Sequence, residues 1–427
     1  MMTMGTKPRR RIMATIAVGA AAAFVLSGCS RADIGGGEVA TGNALPAGSS
    51  AADFQEALSD MPDTTLTFQS TVSSADSPDA ESTLEFIERV NEYSGGKIML
   101  DVTWANGIVP NVVEVDKALA DGRIDIGYAW PQYNASEYPA NNLLVNLTLL
   151  RDPQMVPGYY SIMASLQQEG LQTPEIMEEY TKQGITPLTV MGADGPSIIA
   201  CTEPVLTLAD LAGKQIRAGG VAQSRQIEEL GAVPVSMPYT EVYEALQRGI
   251  LDCSMSAHAI AVIAGHTEVA PFIMHTTAAS FVSTPSNLYA GPVFTTLPVV
   301  AQQLILESVD IMRGASIESG LSRIATTFAD SVADNGGALL AFDPEVDARL
   351  AEINEGIVQD AIDSDLLDGA SLVQRIEAAN VEWLEIGTEL GYTEDGPVEE
   401  FPEWYIGTDS EPWASMVSEM ITQKRFS

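Results

Sequence analysis

Gln215-Ile216-Arg217-Ala218, after the turn Gly213-Lys214, then Val233-Pro234-Val235-Ser236-Met237, then Ile250-Leu251-Asp252-Cys253-Ser254-Met255, read as three short strands with a helical stretch between each and the next. The first intervening helix runs from about Val221 to Leu230 and stops at Gly231. Pro238-Tyr239-Thr240 leads into the second, Glu241 to Gln247, which Gly249 breaks. Upstream, Thr207 caps a single turn of helix over Leu208-Ala209-Asp210-Leu211. Strands alternating with helices predict a parallel sheet, whose ligands sit beyond the carboxyl ends of its strands. Arg217 stands at such an end. Its forked, permanently charged guanidinium suits a carboxylate held by two parallel hydrogen bonds, although a surface salt bridge is the commoner fate of an arginine. Gly219 and Gly220 let a ligand approach the backbone and favour the ligand reading.

Working outward, Thr65 to Thr71 alternates apolar and polar residues and reads as the first strand. Pro78 opens a helix from about Asp79 to Tyr93 with Leu84, Phe86, Ile87 and Val90 as its apolar face, and Ile98 to Trp104 is the next strand, completing a βαβ unit. A helix from Val112 to Ala120 leads into Ile124 to Trp130. The loops after these strands gather Trp104, Tyr128, Trp130 and Tyr133, with Asn106 among them. Aromatics at strand ends suit an organic ligand with an apolar part, and ordinary core packing is the competing account. Tyr239, in the lead-in to the second helix, is counted with them. Val156 to Lys182 reads as helical, and Ile185 to Met191 and Ser197 to Cys201 as strands.

The ends carry a different signal. Lys7-Pro8-Arg9-Arg10-Arg11, an apolar run from Ile12 to Leu26, and Leu26-Ser27-Gly28-Cys29 make a lipoprotein export leader, with cleavage before Cys29 and a lipid on its thiol. The run is short for a membrane span. Gly, Ala, Ser and Asp dominate residues 30–63, which read as a flexible tether. With 58 Asp and Glu against 21 Lys and Arg, the formal net charge of −37 excludes nucleic acid as a partner. The same field repels anions at long range, so an arginine that captures one must act locally in a closed cleft.

Three linked stretches, Gly213 to Arg217, Leu230 to Pro238 and Glu241 to Asp252, closely resemble the substrate-binding proteins of tripartite ATP-independent periplasmic (TRAP) transporters. The likeness extends from about Thr64 to the helix after Leu297. It implies an α/β, two-domain periplasmic-binding-protein-like fold with a hinge and a long bracing helix. The expected organisation is a leader at 1–28, a tether at 29–63, one domain from 64–194 plus 282–321, and a second from 195–281 plus 322–427 with a helical C-terminal extension. The resemblance implies crossings near Asp194 and Phe281-Val282, and a helix from Pro298 to about Ala329 bracing both domains; Pro344 to Ile362 and Gly369 to Leu390 read as further helices. Members that bind sialic acid carry an arginine where this chain has Ser197, and an asparagine where it has Ser256, with His258 two residues on. The first departure argues against a sialic-acid type of substrate.

Once Cys29 is lipidated, Cys201 and Cys253 are the remaining thiols, in an oxidising compartment; a disulfide with Cα atoms about 4.4–6.8 Å apart and two buried free thiols are both open. His258, His266 and His275 are not at zinc spacing, so no metal is implied, and no cofactor is. Ser256 and His258 lack the elbow that would expose a nucleophile, and no phosphate loop or dinucleotide fingerprint is present, which disfavours an enzyme. The reading is a membrane-anchored, exported lipoprotein that passes a small organic acid to the membrane subunits of a TRAP transporter. Its rivals are a sensor subunit signalling to a membrane partner and a cleft enzyme.

Overall fold

Asp210 and Thr207 close a reciprocal cap on the short helix Leu208–Leu211, the threonine hydroxyl accepting from Asp210 N–H and the carboxylate from Thr207 N–H. From this start the chain enters β6 (Gln215–Ala218), helix Val221–Glu229, β7 (Val233–Ser236), helix Val242–Gln247 and β8 (Cys253–Ala257). β6 lies between β7 and β8 and runs parallel to both. β8 begins at Cys253 rather than Ile250 because Asp252 is drawn to the start of β6, where its carboxylate accepts from Gln215 N–H at 2.7 Å. The computed structural model describes residues 42–426 except 78, 79, 193, 194, 326–333 and 397–399, and leaves out the side chains of 258, 259 and 402. The leader, Cys29, the first part of the tether and the expected crossing at Asp194 therefore lie outside the described residues.

Two sheets organise the described chain. The first has strand order β2-β1-β3-β10-β4, from Ile98–Thr103, Thr64–Gln69, Ile126–Ala129, Asn287–Ala290 and Thr186–Pro187. The second has order β11-β9-β5-β8-β6-β7, adding Ala338–Ala341, Phe272–His275 and Ser197–Cys201 to the three strands above. Neither is wholly parallel. β5 runs antiparallel to β8 and β9, and β10 antiparallel to β3 and β4. Each reversed strand receives the chain at a crossing between the sheets, the first between Pro187 and Ser197 and the second between His275 and Asn287; a third crossing, after Ala290, returns it to β11 in the second sheet. The first two crossovers touch. A Cβ on Gly192 would fall 1.6 Å from the Ser286 carbonyl oxygen, so only glycine permits this approach.

Four expectations are corrected. Residues 51–57 are not tether but helix, capped by Ser50 and Asp53, and Phe54, Leu58 and Met61 are buried in the core shared with β1 and the long helix Val299–Arg323. Strand β4 is two residues long instead of spanning Ile185 to Met191, because Val190 and Met191 give their N–H groups to the Gln167 side chain. The chain after 322 does not all join the second sheet. β11 does, pairing with β9, but helix Gly369–Glu389 packs along helix Val156–Gln172, and helix Glu411–Met420 along the long helix. The cause is visible in Val156–Gln172, which is buried over nearly its whole circumference and needs cover on the side away from the sheet. In the early helix Glu81–Tyr93 the buried face is Thr83, Phe86 and Val90, and Leu84 is exposed.

Candidate functional site

Arg217 sits in the last half of β6 and is 2% exposed. Its position between two parallel neighbours brings it to the backbone beyond their ends. Nε donates to the Met237 carbonyl at 3.0 Å, and one terminal nitrogen to the Met255 carbonyl at 2.9 Å. The other donates to the Tyr133 hydroxyl at 2.9 Å. None of these hydrogen bonds goes to a carboxylate, so the surface salt bridge is not what the chain builds. Gly219 packs against the same guanidinium: a Cβ there would lie 3.1 Å from both terminal nitrogens, tighter than van der Waals contact allows.

Tyr133 belongs to the one-turn 3-10 helix Pro131–Asn134 that follows β3 in the first sheet, so the Arg217 contact joins the two halves of the molecule. Its hydroxyl also accepts from Tyr239 N–H at 3.3 Å. The Trp130 ring lies 6.1 Å from Tyr133, nearly parallel at 19°, and 5.2 Å from Tyr239. Asn106 reaches the group from the loop after β2, donating to the Tyr239 hydroxyl at 3.4 Å while its own carbonyl accepts from Gln69. Ala105 and Asn106 are both in the left-handed region, at φ 54° and 53°, a strained turn that aims the asparagine side chain at the second lobe.

His266 was not singled out by sequence. It is buried, its Nε2 lies 3.3 Å from the Tyr239 carbonyl, and Nδ1 has no hydrogen-bond partner. Burial, then the nearby Arg217 charge, pull its pKa down to about 4. At neutral pH the imidazole is uncharged, so Arg217 keeps its charge without a second cation beside it.

The remaining sequence-predicted residues divide. Ser256 is buried on β8 with its hydroxyl unpartnered, as is that of Ser254. His258 opens the helix His258–Ile263, and its side chain is outside the described residues. Tyr128 packs against the Trp130–Tyr239 cluster and also reaches Phe68 and the Met312 sulfur. Trp104 is partly buried and makes none of the cluster's ring contacts. Ser197 faces the second crossover, donating to the Val282 carbonyl at 3.1 Å and accepting from Gln223 at 3.3 Å. A cleft lined by Thr71, Tyr128, Trp130, Ile260, Ser286 and Arg313 adjoins the cluster through Trp130.

Cys201 and Cys253 face each other across the antiparallel β5–β8 pair and form a disulfide, with Cα atoms 4.0 Å apart, just under the window expected. Among the described residues no group of three or more His, Cys, Asp or Glu is placed to hold a metal, and no helix is long and apolar enough to cross a membrane.

Residues 69–365 match the family described as bacterial extracellular solute-binding protein, family 7. A curated relative, the uncharacterized protein YiiZ of Salmonella typhimurium, is 32% identical over 132 residues, which are 28% of this chain and 37% of the relative. The chain thus spans little more than a third of the length of that relative. Among solved structures, a Bordetella pertussis extracytoplasmic solute receptor binding pyroglutamic acid superposes with a TM-score of 0.61 at 20% identity, over 73% of this chain and 99% of its own. A marine metagenome TRAP solute-binding protein with 3-hydroxybenzoate gives 0.63 at 20% identity, over 76% and 99%. The sugar acid binding protein of Advenella mimigardefordensis with galactonate gives 0.62 at 19% identity, over 76% and 100%. At these identities the superpositions establish the fold.

Proposed function

Because the chain belongs to family 7 of the bacterial extracellular solute-binding proteins, the TRAP-type receptors its motifs resemble, we propose that it captures a small organic acid outside the cytoplasm and delivers it to the membrane subunits of a TRAP transporter. The observation that carries this reading is the environment of Arg217. A guanidinium has five N–H donors. Three are taken by two carbonyls and a phenol, which hold the group rigidly without neutralising it, and one N–H on each terminal nitrogen remains. A buried, positioned and unneutralised guanidinium is suited to an incoming carboxylate, and the low-dielectric surroundings strengthen the pair. Trp130, Tyr133 and Tyr239 supply apolar faces beside it. The acids bound by the pyroglutamate, hydroxybenzoate and galactonate receptors are all carboxylates, which supports the same class here.

Lipid anchoring at Cys29 completes the proposal. It rests on Leu26-Ser27-Gly28-Cys29 after a basic and apolar leader. Cys29→Ser should release the protein from membranes, and wild type recovered free and unacylated after export would refute the anchor.

The test of the ligand class is mass spectrometry of the compound retained on exported protein, followed by calorimetry of that compound. A carboxylic acid is expected. Arg217→Lys keeps the charge and loses the planar fork, and a drop of more than about a hundredfold in affinity is expected. Melting temperature cannot separate the roles of Arg217, because its removal also strips donors from two buried carbonyls. A neutral retained compound, or lysine binding as tightly as arginine, would overturn the reading.

A further inference from the structure

Arg151 ends the one-turn 3-10 helix Leu147–Leu150 and lines a cavity that opens to solvent. None of Arg217, Trp130, Tyr133 or Tyr239 lines this cavity; of the candidate ligand residues read from the sequence, Ser197 does. Its walls are mainly apolar, with Tyr159 from helix Val156–Gln172, Phe281 from the second crossover, Leu339 from β11 and Phe401 from the C-terminal region. Phe401 lies beyond residues 69–365, so part of the wall comes from outside the family match.

The one guanidinium in this lining has no carboxylate in hydrogen-bonding contact. Arg151 donates to the Gln154 carbonyl at 3.3 Å and to the Ser280 hydroxyl at 3.4 Å, both long and neither to a carboxylate. Burial pulls its pKa below the ordinary arginine value, yet a guanidinium stays charged. The Asp152 and Glu394 carboxylates act on it only through space, since they accept instead from Gln154, Met155 and Val156 N–H. A half-buried guanidinium with no carboxylate in direct contact can take an anion that comes to it. An apolar chamber with one such cation at its wall is shaped for an amphipathic anion.

We propose that this cavity is a second ligand site, taking a small monocarboxylate with an aliphatic or aromatic body, its carboxylate on Arg151 and Ser280 and its body against Tyr159, Phe281 and Phe401. The site is independent of the acid held at Arg217. Octanoate is the probe and octan-1-ol the uncharged control, each titrated by calorimetry into the full exported protein and its variants. Octanoate should bind the wild type more tightly than octan-1-ol does, and bind Arg217→Ala unchanged. Arg151→Gln should weaken it by about tenfold or more. Leu339, 40% exposed at the rim, offers a variant that leaves the core alone, and Leu339→Glu should weaken octanoate several-fold by repulsion while sparing octan-1-ol. If Arg151→Gln does not fold, Leu339→Glu decides. The proposal is overturned if octanoate does not bind the wild type, if both cavity variants bind it normally, or if Arg217→Ala alone abolishes it.

Discussion

Arg217 and Arg313 are both almost wholly buried, at 2% and 3% exposure, and they are treated in opposite ways. Arg313, on the long helix, donates to the Met163 and Met191 carbonyls and has the Asp310 carboxylate 3.9 Å away. Asp310 in turn accepts from Ser418 at 2.9 Å and Thr422 at 2.6 Å, which fastens the C-terminal helix to the long one. Trp413 lies 5.8 Å from the guanidinium. Arg217 has carbonyls and a phenol around it and no carboxylate. Although its Nε and the terminal nitrogen facing Asp310 make no hydrogen bond, Arg313 has a counter-charge from within the chain and serves as a brace. A buried cation held in place but left unanswered is available to something outside the chain.

The contrast breaks most visibly at the brace. Arg313→Ala would leave Asp310 buried without its counter-charge and should lower unfolding free energy by about 3–5 kcal/mol in urea titration. Affinity of the folded protein for the retained acid should change little. A variant of normal stability and lost binding would reverse the roles assigned to the two arginines.

Next in size is the disulfide. Cys201 and Cys253 close a loop with a sequence separation of 52, and replacing both with serine should cost about 2–4 kcal/mol by widening the unfolded ensemble. β8, which carries Cys253, also presents the Met255 carbonyl to Arg217. Binding by the folded double variant should nonetheless survive, since the strand is paired on both sides by backbone hydrogen bonds. Loss of binding with stability retained would show that the bridge, rather than the sheet, aims Arg217.

Acid separates the two regions by sign. The His266 pKa is about 4 in the folded protein against an ordinary 6.5, so the unfolded chain takes up the proton first. The associated stability is complete above about pH 6.5 and is lost as pH falls toward 4, by at most roughly 3 kcal/mol. Burial raises the Asp310 pKa from 3.8 to about 6, outweighing the attraction of Arg313. Its contribution is therefore present below 3.8 and lost as pH rises through 6, opposite in direction. The two trends offset in the wild type. His266→Gln should expose the Asp310 trend, making the variant relatively more stable at pH 4.5 than at pH 7; an unchanged pH profile would remove His266 from the account.

What could be read beforehand follows the range of the forces involved. β6 and its neighbours were legible because glycines and a threonine cap punctuate them locally, and Arg217 could be placed at a strand end from that pattern alone. Its actual partners could not, since the Met237 and Met255 carbonyls belong to the backbone and carry no side-chain signature. The helix Ala51–Ala57 was hidden by a composition suggestive of tether, although Ser50 and Asp53 form a capping box and Phe54 and Leu58 are one turn apart. The disulfide depended on an antiparallel register that cysteine spacing does not encode. Trp104 and Tyr239 look equivalent as aromatics near strand ends; only tertiary packing seats Tyr239 in the cluster, and Trp104 makes none of its ring contacts.

The smallest expected effect tests the contrast most closely, because it touches Arg217 without removing it. Tyr133→Phe keeps the ring stacked on Trp130 but deletes the hydroxyl that accepts from Arg217 at 2.9 Å and from Tyr239 N–H at 3.3 Å. If Arg217 is reserved for a ligand, its freed N–H is one that a bound carboxylate can satisfy, so most of the loss is recovered on binding. Affinity should fall only about fivefold, near 1 kcal/mol, and unfolding free energy of the unliganded protein by about the same. If Arg217 is instead a second brace between the lobes, the two buried donors stay unsatisfied with or without ligand. Stability would then drop by several kcal/mol, as at Arg313, and saturating acid would not restore it. Urea unfolding of Tyr133→Phe with and without the retained acid separates these outcomes, and a large loss that the acid leaves unrepaired would mean that both arginines are structural.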